Sequence, residues 1–252
     1  MKLDGKVALV TGASSGMGRA ISLLFAKEGA TVVAVARRKE KLDELVAEAS
    51  NLSGRIVAFQ GDISEKQVNE EMIDFAVSEF GKLDILVNNA GVMDEMMPVA
   101  EASDEIWDKV IGVNLTGPFF SSRKAVNQML EQGGGNIVNI ASIGGLQGSR
   151  AGVSYTASKF GLIGMTKNIG FMYANKGIRC NAICPGGVET EIGVGIKNPS
   201  QFGIERAMSG SNSNPRSGSA EEIAAIALFL VSDDSSFVNG TTITADAGWT
   251  AY

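Results

Sequence analysis

The chain of 252 residues contains no histidine. That absence excludes Ser-His-Asp hydrolases, Cys-His proteases, histidine-ligated zinc and a histidine general base. Acid–base chemistry falls to Tyr, Lys, Asp, Glu or Cys, and no metal site is expected. Cysteine is nearly absent too, with only Cys180 and Cys184. Both lie in a strand-like run, where four steps separate them by roughly 13 Å. A disulfide needs Cα atoms within about 7 Å, so the two cannot pair with each other. Buried, reduced thiols in a cytoplasmic protein are expected. Positive charge is scarce: the net charge is −6, and the longest basic run is Arg37-Arg38-Lys39. Nucleic acid demands a basic face to neutralise phosphates, and an anionic membrane surface demands the same, so neither is an expected partner. No apolar run reaches the ~18 residues of a membrane span. Lys6 to Val10 already reads as a strand, so no secretory segment is expected at the start.

What is present has the balance of a globular chain, 44% apolar and 20% charged. A chain this long buries roughly three quarters of its unfolded surface without disulfides or metal. Strand-like runs alternate with helix-like stretches almost from end to end. The strands are Val7–Val10, Thr31–Val35, Arg55–Phe59, Leu83–Val87, Asn136–Ile140, Ile178–Cys184 and Thr241–Ala245. The helices run from Gly16 to Lys27, Lys39 to Ala49, Glu65 to Phe80, Asp104 to Leu130, about Val153 to Asn175, and Ala220 to Leu230. In the first of these, Ile21, Leu24 and Phe25 recur at helical spacing as a core stripe. Near-continuous apolar strands alternating with helices predict one α/β domain over 1–252. It should be a Rossmann-like, doubly wound fold: a seven-stranded parallel sheet with helices on both faces. One stretch breaks the rhythm. Residues 187–219 are rich in Gly, Ser and Asn and leave the carboxyl end of a parallel strand, the edge where ligands collect, so they read as a substrate lid.

Thr11-Gly12-Ala13-Ser14-Ser15-Gly16-Met17-Gly18 joins the first strand to the first helix. Gly12 permits a tight turn; Gly16 and Gly18 remove side chains where a pyrophosphate would approach. The helix N-terminus adds free N–H groups and partial positive charge. The same residues fit Gly-x-Ser-x-Gly, the nucleophile elbow of α/β hydrolases. That site needs a histidine and belongs deeper in its fold. At the end of the second strand an acid would bind the adenosine ribose and repel a 2′-phosphate. Here Ala36 is followed by Arg37 and Arg38. A basic run at a helix start opposes the helix dipole, and a 2′-phosphate would compensate it, so NADP(H) is expected over NAD(H). The plainer reading is a solvated basic turn. Asp62, after the third strand, can accept the adenine amino group or cap the next helix.

Tyr155-Thr156-Ala157-Ser158-Lys159 puts Tyr155 and Lys159 on one helix face, roughly 6 Å apart at Cβ. As a base near neutral pH the tyrosine must be shifted by about 3 units from its usual value near 10. A neighbouring ammonium and the positive ring of an oxidised nicotinamide both favour phenolate. Ser142 ends the fifth strand, where its hydroxyl can bind a substrate oxygen. Asn114 lies in a long, otherwise apolar helix, where its amide needs a partner or bends the turn. Asn88-Asn89-Ala90-Gly91 ends the fourth strand, and Pro185-Gly186 ends the sixth, with Thr190 soon after.

These motifs, jointly and in this order, resemble the short-chain dehydrogenase/reductase family over the whole chain. The resemblance implies a catalytic tetrad of Asn114, Ser142, Tyr155 and Lys159. Ser142 would polarise a carbonyl and Tyr155 would pass the proton. Lys159 would bind the nicotinamide ribose and lower the tyrosine pKa. Asn114 would hold a proton-relaying water. Implied cofactor contacts are Gly12, Ser14, Ser15, Gly16, Met17, Gly18, Arg37, Arg38, Asp62, Ile63, Asn89, Ala90, Gly91, Tyr155, Lys159, Pro185, Gly186, Val188 and Thr190. Many family members carry a basic residue at the position of Ser15. Its absence leaves Arg37, with Arg38 beside it, to select NADP(H). A homotetramer is implied as well. The helices bearing Phe119-Phe120 and Leu162-Ile163 have apolar residues beyond one core stripe, and the chain ends in the aromatics Trp249 and Tyr252.

Some similar proteins are 3-oxoacyl-[acyl-carrier-protein] reductases, and those that use a carrier protein present basic residues to its acidic surface. The matching stretches here, Leu130 to Gly135 and Gly170 to Tyr173, contain no Arg or Lys. An acidic partner would be repelled by a net charge of −6. A small ketone, secondary alcohol or hydroxysteroid is the expected substrate, with Met93, Ile143, Val188 and Ile192 as an apolar pocket. A 3-oxoacyl reductase is the alternative. A non-catalytic dinucleotide-binding regulator would show a broken tetrad, and the tetrad is complete.

Overall fold

A computed structural model describes residues 1–251; Tyr252 lies outside the described residues. Seven strands form one sheet: β1 (Val7–Thr11), β2 (Thr31–Ala36), β3 (Arg55–Gln60), β4 (Ile85–Asn88), β5 (Gly135–Ile140), β6 (Ile178–Pro185) and β7 (Thr242–Ala245). The order is β3-β2-β1-β4-β5-β6-β7, and every pairing is parallel. The chain winds outward from β1 in one direction and from β4 in the other. A crevice therefore opens between the carboxyl ends of β1 and β4, where ligands bind in such sheets.

The two-residue period of a strand builds two cores at once. In β1, Ala8 and Val10 face one layer while Val7 and Leu9 face the other. In β2, Val32 and Ala34 join the first layer, and Val33 and Val35 the second. The first layer is roofed by α1 (Gly16–Lys27), α2 (Lys39–Glu48) and α8 (Ala220–Val231). The second is roofed by α3 (Lys66–Phe80), α5 (Gly117–Gln132) and α6 (Val153–Met172). Of the stripe expected in α1, Ile21 and Phe25 are fully buried, and Leu24 packs partly buried against them. Each such side chain contributes about 1.5–3 kcal/mol by leaving water. A capping box starts α8, where Ser219 accepts from Glu222 N and the Glu222 carboxylate accepts from Ser219 N.

Two expectations need correction. The stretch from Asp104 to Leu130 is not one regular helix. It is α4 (Asp104–Ile111), then a π-helical turn over Gly112–Thr116, then α5. Asn114 stands in the π turn and is fully buried. Its amide exchanges hydrogen bonds with the Val92 backbone, accepting from N at 2.8 Å and donating to O at 2.9 Å. The wider turn aims that amide back at the loop after β4. Residues 187–219 are not irregular throughout either. They hold α7 (Gln201–Met208), where Ser200 Oγ accepts from Gly203 N at 3.0 Å, and short 3-10 turns over Glu191–Gly195 and Ser211–Ser213. Phe202 and Met208 of α7 are exposed, so the helix has no buried stripe to announce it in the sequence.

Among the described residues no helix is long and apolar enough to cross a membrane. Both cysteines are buried and free. Leu162 and Ile163 are buried within the chain and so cannot form an outer surface; Phe119, Phe160 and Phe171 are the exposed aromatics of α5 and α6. Trp249 turns back on the chain. Its Nε1 donates to Gly210 O at 3.0 Å, and the Arg150 guanidinium stacks on its ring.

Candidate active site

A cleft of about 600 Å³ opens between the ends of β1 and β4. The turn after β1 forms its floor. Gly12 and Gly16 adopt φ of +67° and +53°, the left-handed region that favours glycine. A Cβ on Gly12 would lie 2.8 Å from Ala90 Cα, and one on Gly16 would lie 3.1 Å from Thr190 Cγ2. At the N-terminus of α1 no side chain caps the helix, and no acid stands in its first turn. Its N–H groups and positive dipole end are left for a phosphate. The turn therefore fits a dinucleotide. Gly18 differs from the expectation. It is buried beneath the turn, and a Cβ there would stand 2.4 Å from both Asn89 Nδ2 and the Gly12 carbonyl oxygen. Close packing, not room for pyrophosphate, requires this glycine.

Asn89 explains that packing. Its amide donates to Thr11 O at 2.9 Å and Gly12 O at 3.3 Å, while Thr11 Oγ1 accepts from Asn89 N and Ala90 N. The end of β4 is stitched to the turn after β1. Asn88 works one layer down, bonding Ser121, Ser122 and Asn139.

Gly12, Ser14, Ser15, Gly16, Met17, Arg37, Arg38, Asp62, Ile63, Asn89, Ala90, Gly91 and Thr190 all line the cleft. Pro185, Gly186 and Val188 do not; they sit at the end of β6, where Gly186 N donates to Ala245 O. Sequence reasoning left Arg37, with Arg38 beside it, to select the cofactor. Arg37 lines the cleft with its guanidinium exposed, 3.6 Å from the Asp62 carboxylate. Arg38 instead lies across the phosphate-binding turn. It donates to Ser14 Oγ at 3.0 Å, Ser15 Oγ at 2.8 Å and the Glu191 carboxylate at 3.0 Å. Arg38, and Ser15 after it, hold the Glu191 carboxyl below its usual range. Asp62 does not cap α3; it accepts from Ser64 N and Oγ.

Of the expected apolar pocket, Met93 and Ile192 line the cleft, joined by Val194. Ile143 is buried in the turn after β5 and Val188 packs on the first core layer, so the pocket is only half as foreseen. Lys109, Val113 and Glu191 also line the cleft and were missed. Only the fold brings them there.

The tetrad residues converge behind Gly91. A Cβ on Gly91 would stand 3.4 Å from Asn114 Oδ1 and 3.6 Å from Lys159 Nζ. Lys159 Nζ donates to Ile140 O at 2.9 Å and lies 5.6 Å from the Tyr155 ring centre. Ser142 Oγ accepts from Gly144 N at 3.0 Å, leaving its hydroxyl hydrogen to donate toward Tyr155 or a substrate oxygen. Burial pushes the Tyr155 phenol up to about 12, with the Ser142 hydrogen bond pulling the other way. Burial also brings the Lys159 ammonium down to about 8. Burial is the largest influence on both groups, and without a bound cofactor it favours the protonated phenol.

A profile of short chain dehydrogenases matches residues 6–200. The chain is 46% identical over 251 residues to 3beta-hydroxysteroid dehydrogenase 2 of Eggerthella lenta, covering 99% of this chain and 96% of that one. It is 42% identical over 249 residues to the 3-oxoacyl-[acyl-carrier-protein] reductase FabG of Thermotoga maritima, covering 98% and 99%. The crystal structure of levodione reductase superposes with a TM-score of 0.90 at 34% identity, covering 99% of this chain and all of that one. A nucleotide-binding turn, a Tyr-Lys pair behind it and likeness along the whole chain agree: this is an oxidoreductase of CH–OH groups and a member of the short-chain dehydrogenase/reductase family.

Proposed function

We propose that the enzyme passes a hydride between NADP(H) and a ring-bearing ketone or secondary alcohol, a hydroxysteroid or a smaller cyclic compound. The observation that carries this reading is the buried Tyr155, hydrogen-bonded to Ser142 and grouped with Lys159 behind Gly91, which lines the cleft. A bound nicotinamide would supply or accept the hydride. The chain's residues handle the proton. Ser142 donates to the substrate oxygen and fixes it next to Tyr155. In reduction the phenol gives its proton to that oxygen; in oxidation the phenolate takes it back. Lys159, with one hydrogen on Ile140 O, would hold the nicotinamide ribose. Asn114 clamps the Val92 backbone and so sets the loop that closes this side of the cleft.

Three features support NADP(H) over NAD(H). No acid follows β2, Arg37 lines the cleft, and Arg38 already holds both serines of the phosphate-binding turn. Residues 187–219 serve as the substrate lid of a single domain. Met93, Ile192 and Val194 give the cleft an apolar wall suited to a hydrocarbon ring. The names of two similar proteins, a hydroxysteroid dehydrogenase and levodione reductase, support the same class of substrate. An acyl-carrier-protein substrate is opposed by the exposed, uncharged Phe171 and Met172 where a basic patch would be needed. The reading takes the enzyme as cytoplasmic and homotetrameric; its buried thiols and the exposed Phe119, Phe160 and Phe171 support this.

The test is a panel of cyclic ketones, 3-oxosteroids and 3-oxoacyl thioesters, each with NADPH and NADH, followed by nicotinamide absorbance. Turnover of ketones or steroids with an NADPH preference is expected. Turnover of thioesters alone, or equal kcat/KM for the two cofactors, overturns the respective half of the reading.

A further inference from the structure

Three backbone N–H groups converge on the carboxylate of Asp94, in the loop after β4. Its Oδ1 accepts from Met96 N at 3.1 Å and Gly152 N at 3.0 Å, and its Oδ2 accepts from Tyr155 N at 3.0 Å. Asp94 is fully buried. No Lys or Arg among the described residues forms an ion pair with it. An ionised carboxylate only accepts, so three N–H donors suit it. It sits at the start of α6, where Gly152 is the cap residue without a side chain and no acid stands in the first turn. The anion that complements this helix dipole comes from another element.

The loop is shaped to deliver that carboxylate. Met96 has φ of +54°, a region that non-glycine residues seldom enter, and its N–H is one of the three donors. Met97 O accepts from Val153 N at 2.9 Å. A Cβ on Gly152 would fall 2.5 Å from Asp94 Oδ2, so only glycine admits the loop so close. On its other side Glu95 O accepts from Ser200 N at 2.9 Å, the cap residue of α7. One short stretch thus ties the start of the helix bearing Tyr155 to the start of the helix in the 187–219 segment.

We propose that Asp94 is a positioning residue for the proton-transfer step: it fixes the Tyr155 backbone and holds a buried carboxylate, with backbone N–H donors in place of a basic side chain, on the residue that carries the phenol. The inference rests on Tyr155 being the acid–base. The groups around that phenol are Lys159 on α6, Ser142 after β5 and Cys184 on β6, with Asp94, after β4, on the backbone N of the same residue. Burial pushes the Cys184 thiol up to about 11, so it is neutral at ordinary pH. Asp94 is the carboxylate of the set, and its three N–H donors suit the ionised form. Such a charge disfavours phenolate, and it acts in the same direction as burial on Tyr155. It keeps the proton donor loaded for reduction.

The test is the pH dependence of kcat for alcohol oxidation in the parent, Asp94→Asn, Asp94→Ser and Asp94→Glu, beside the cofactor dissociation constant of each. Asp94→Asn removes the charge while keeping an acceptor for Gly152 N, Asp94→Ser removes it with a shorter side chain, and both should move the midpoint to lower pH by about half a unit to one unit. Asp94→Glu keeps the charge and should lower kcat with the midpoint in place. A purely structural Asp94 lowers kcat in all three and moves no midpoint, which overturns the proposal. So does the failure of both neutral variants to bind cofactor, because the carboxylate is then required for folding alone. A parent with no ionisation in its profile refutes the role of Tyr155 instead.

Discussion

Replacing Tyr155 with phenylalanine removes one oxygen from a ring that is 7% exposed. The packing of the ring stays, and the hydroxyl loses its hydrogen bond with Ser142. A bond of that kind contributes about 0.5–1.5 kcal/mol net. For a chain of this size 1 kcal/mol is worth roughly 2–4 °C in Tm. The variant should therefore melt within roughly 6 °C of the parent. Turnover behaves differently. Lys159 Nζ lies 5.6 Å from the ring centre, with one of its three hydrogens on Ile140 O. Ser142 is a far weaker acid. General acid–base catalysis contributes about 10²–10⁴-fold, equivalent to about 2.7–5.5 kcal/mol of barrier. The assay is steady-state reduction of a ketone from the panel, with Tm and cofactor dissociation constant measured on the same preparation. A folded, cofactor-binding Tyr155→Phe variant that keeps more than about a tenth of parental kcat, with chemistry rate-limiting, would refute the assignment of the proton to Tyr155.

Lys159→Met should lower both turnover and cofactor affinity; a loss confined to kcat would remove the ribose role. Phenolate is needed for oxidation, so kcat for an alcohol should rise with pH through one ionisation. Bound oxidised cofactor must bring it below about 10, against a phenol that burial holds near 12; a midpoint that stays near 12 refutes that coupling. Arg38→Ala should reduce the NADP(H) preference by about tenfold or more, and Ala36→Asp with Arg37→Ala should turn it toward NAD(H); unchanged kcat/KM ratios in both would exclude a 2′-phosphate site here. Gly18→Ala forces a Cβ to 2.4 Å from the Gly12 carbonyl oxygen and should destabilise by about 1–3 kcal/mol, read as a lower Tm; parental stability would refute the interlock with Asn89. Light scattering at micromolar concentration should give a tetramer mass, and a monomer would refute the assembly.

The layered sheet was legible because each strand has a strong local signal: β1 and β2 read as continuous apolar runs because both of their faces are buried. The tetrad reading rested on the family resemblance; its one local signal was the spacing of four between Tyr155 and Lys159 on a helix. Arg38 was less legible, since neighbouring arginines look alike until the chain's twist sends Arg37 toward Asp62 and Arg38 toward Ser14 and Ser15. The disturbance at Asn114 was half legible, since its amide asked for a partner or a bent turn; that the partner is Val92 and the turn a π turn follows only from the fold. Asp94 was silent for the same reason. In Met93-Asp94-Glu95-Met96 it looks like any solvated acid next to another. Only the fold shows that Glu95 offers a backbone oxygen outward while Asp94 turns in.

The excursion that begins at Gly187 has a narrow neck. Val188 and Gly218 form a parallel bridge, with Gly218 N donating to Gly187 O at 2.8 Å and Glu189 N to Gly218 O at 3.0 Å. Two ends fastened to each other make the intervening chain a closed loop, and the entropy of closing a flexible loop grows only slowly, by about 0.6 kcal/mol for each doubling of its length. Insertions or wholesale replacement between Glu189 and Ser217 are thus thermodynamically gentle for the sheet beneath. The contacts such an exchange would have to preserve are few and local: Thr190 against Gly16, Glu191 on Arg38, Ser200 on Glu95, and Gly210 with Trp249 and Arg150. The neck makes this segment a natural unit of recombination, through which new substrates can be sampled by trading loops while the nucleotide and proton machinery stays as it is.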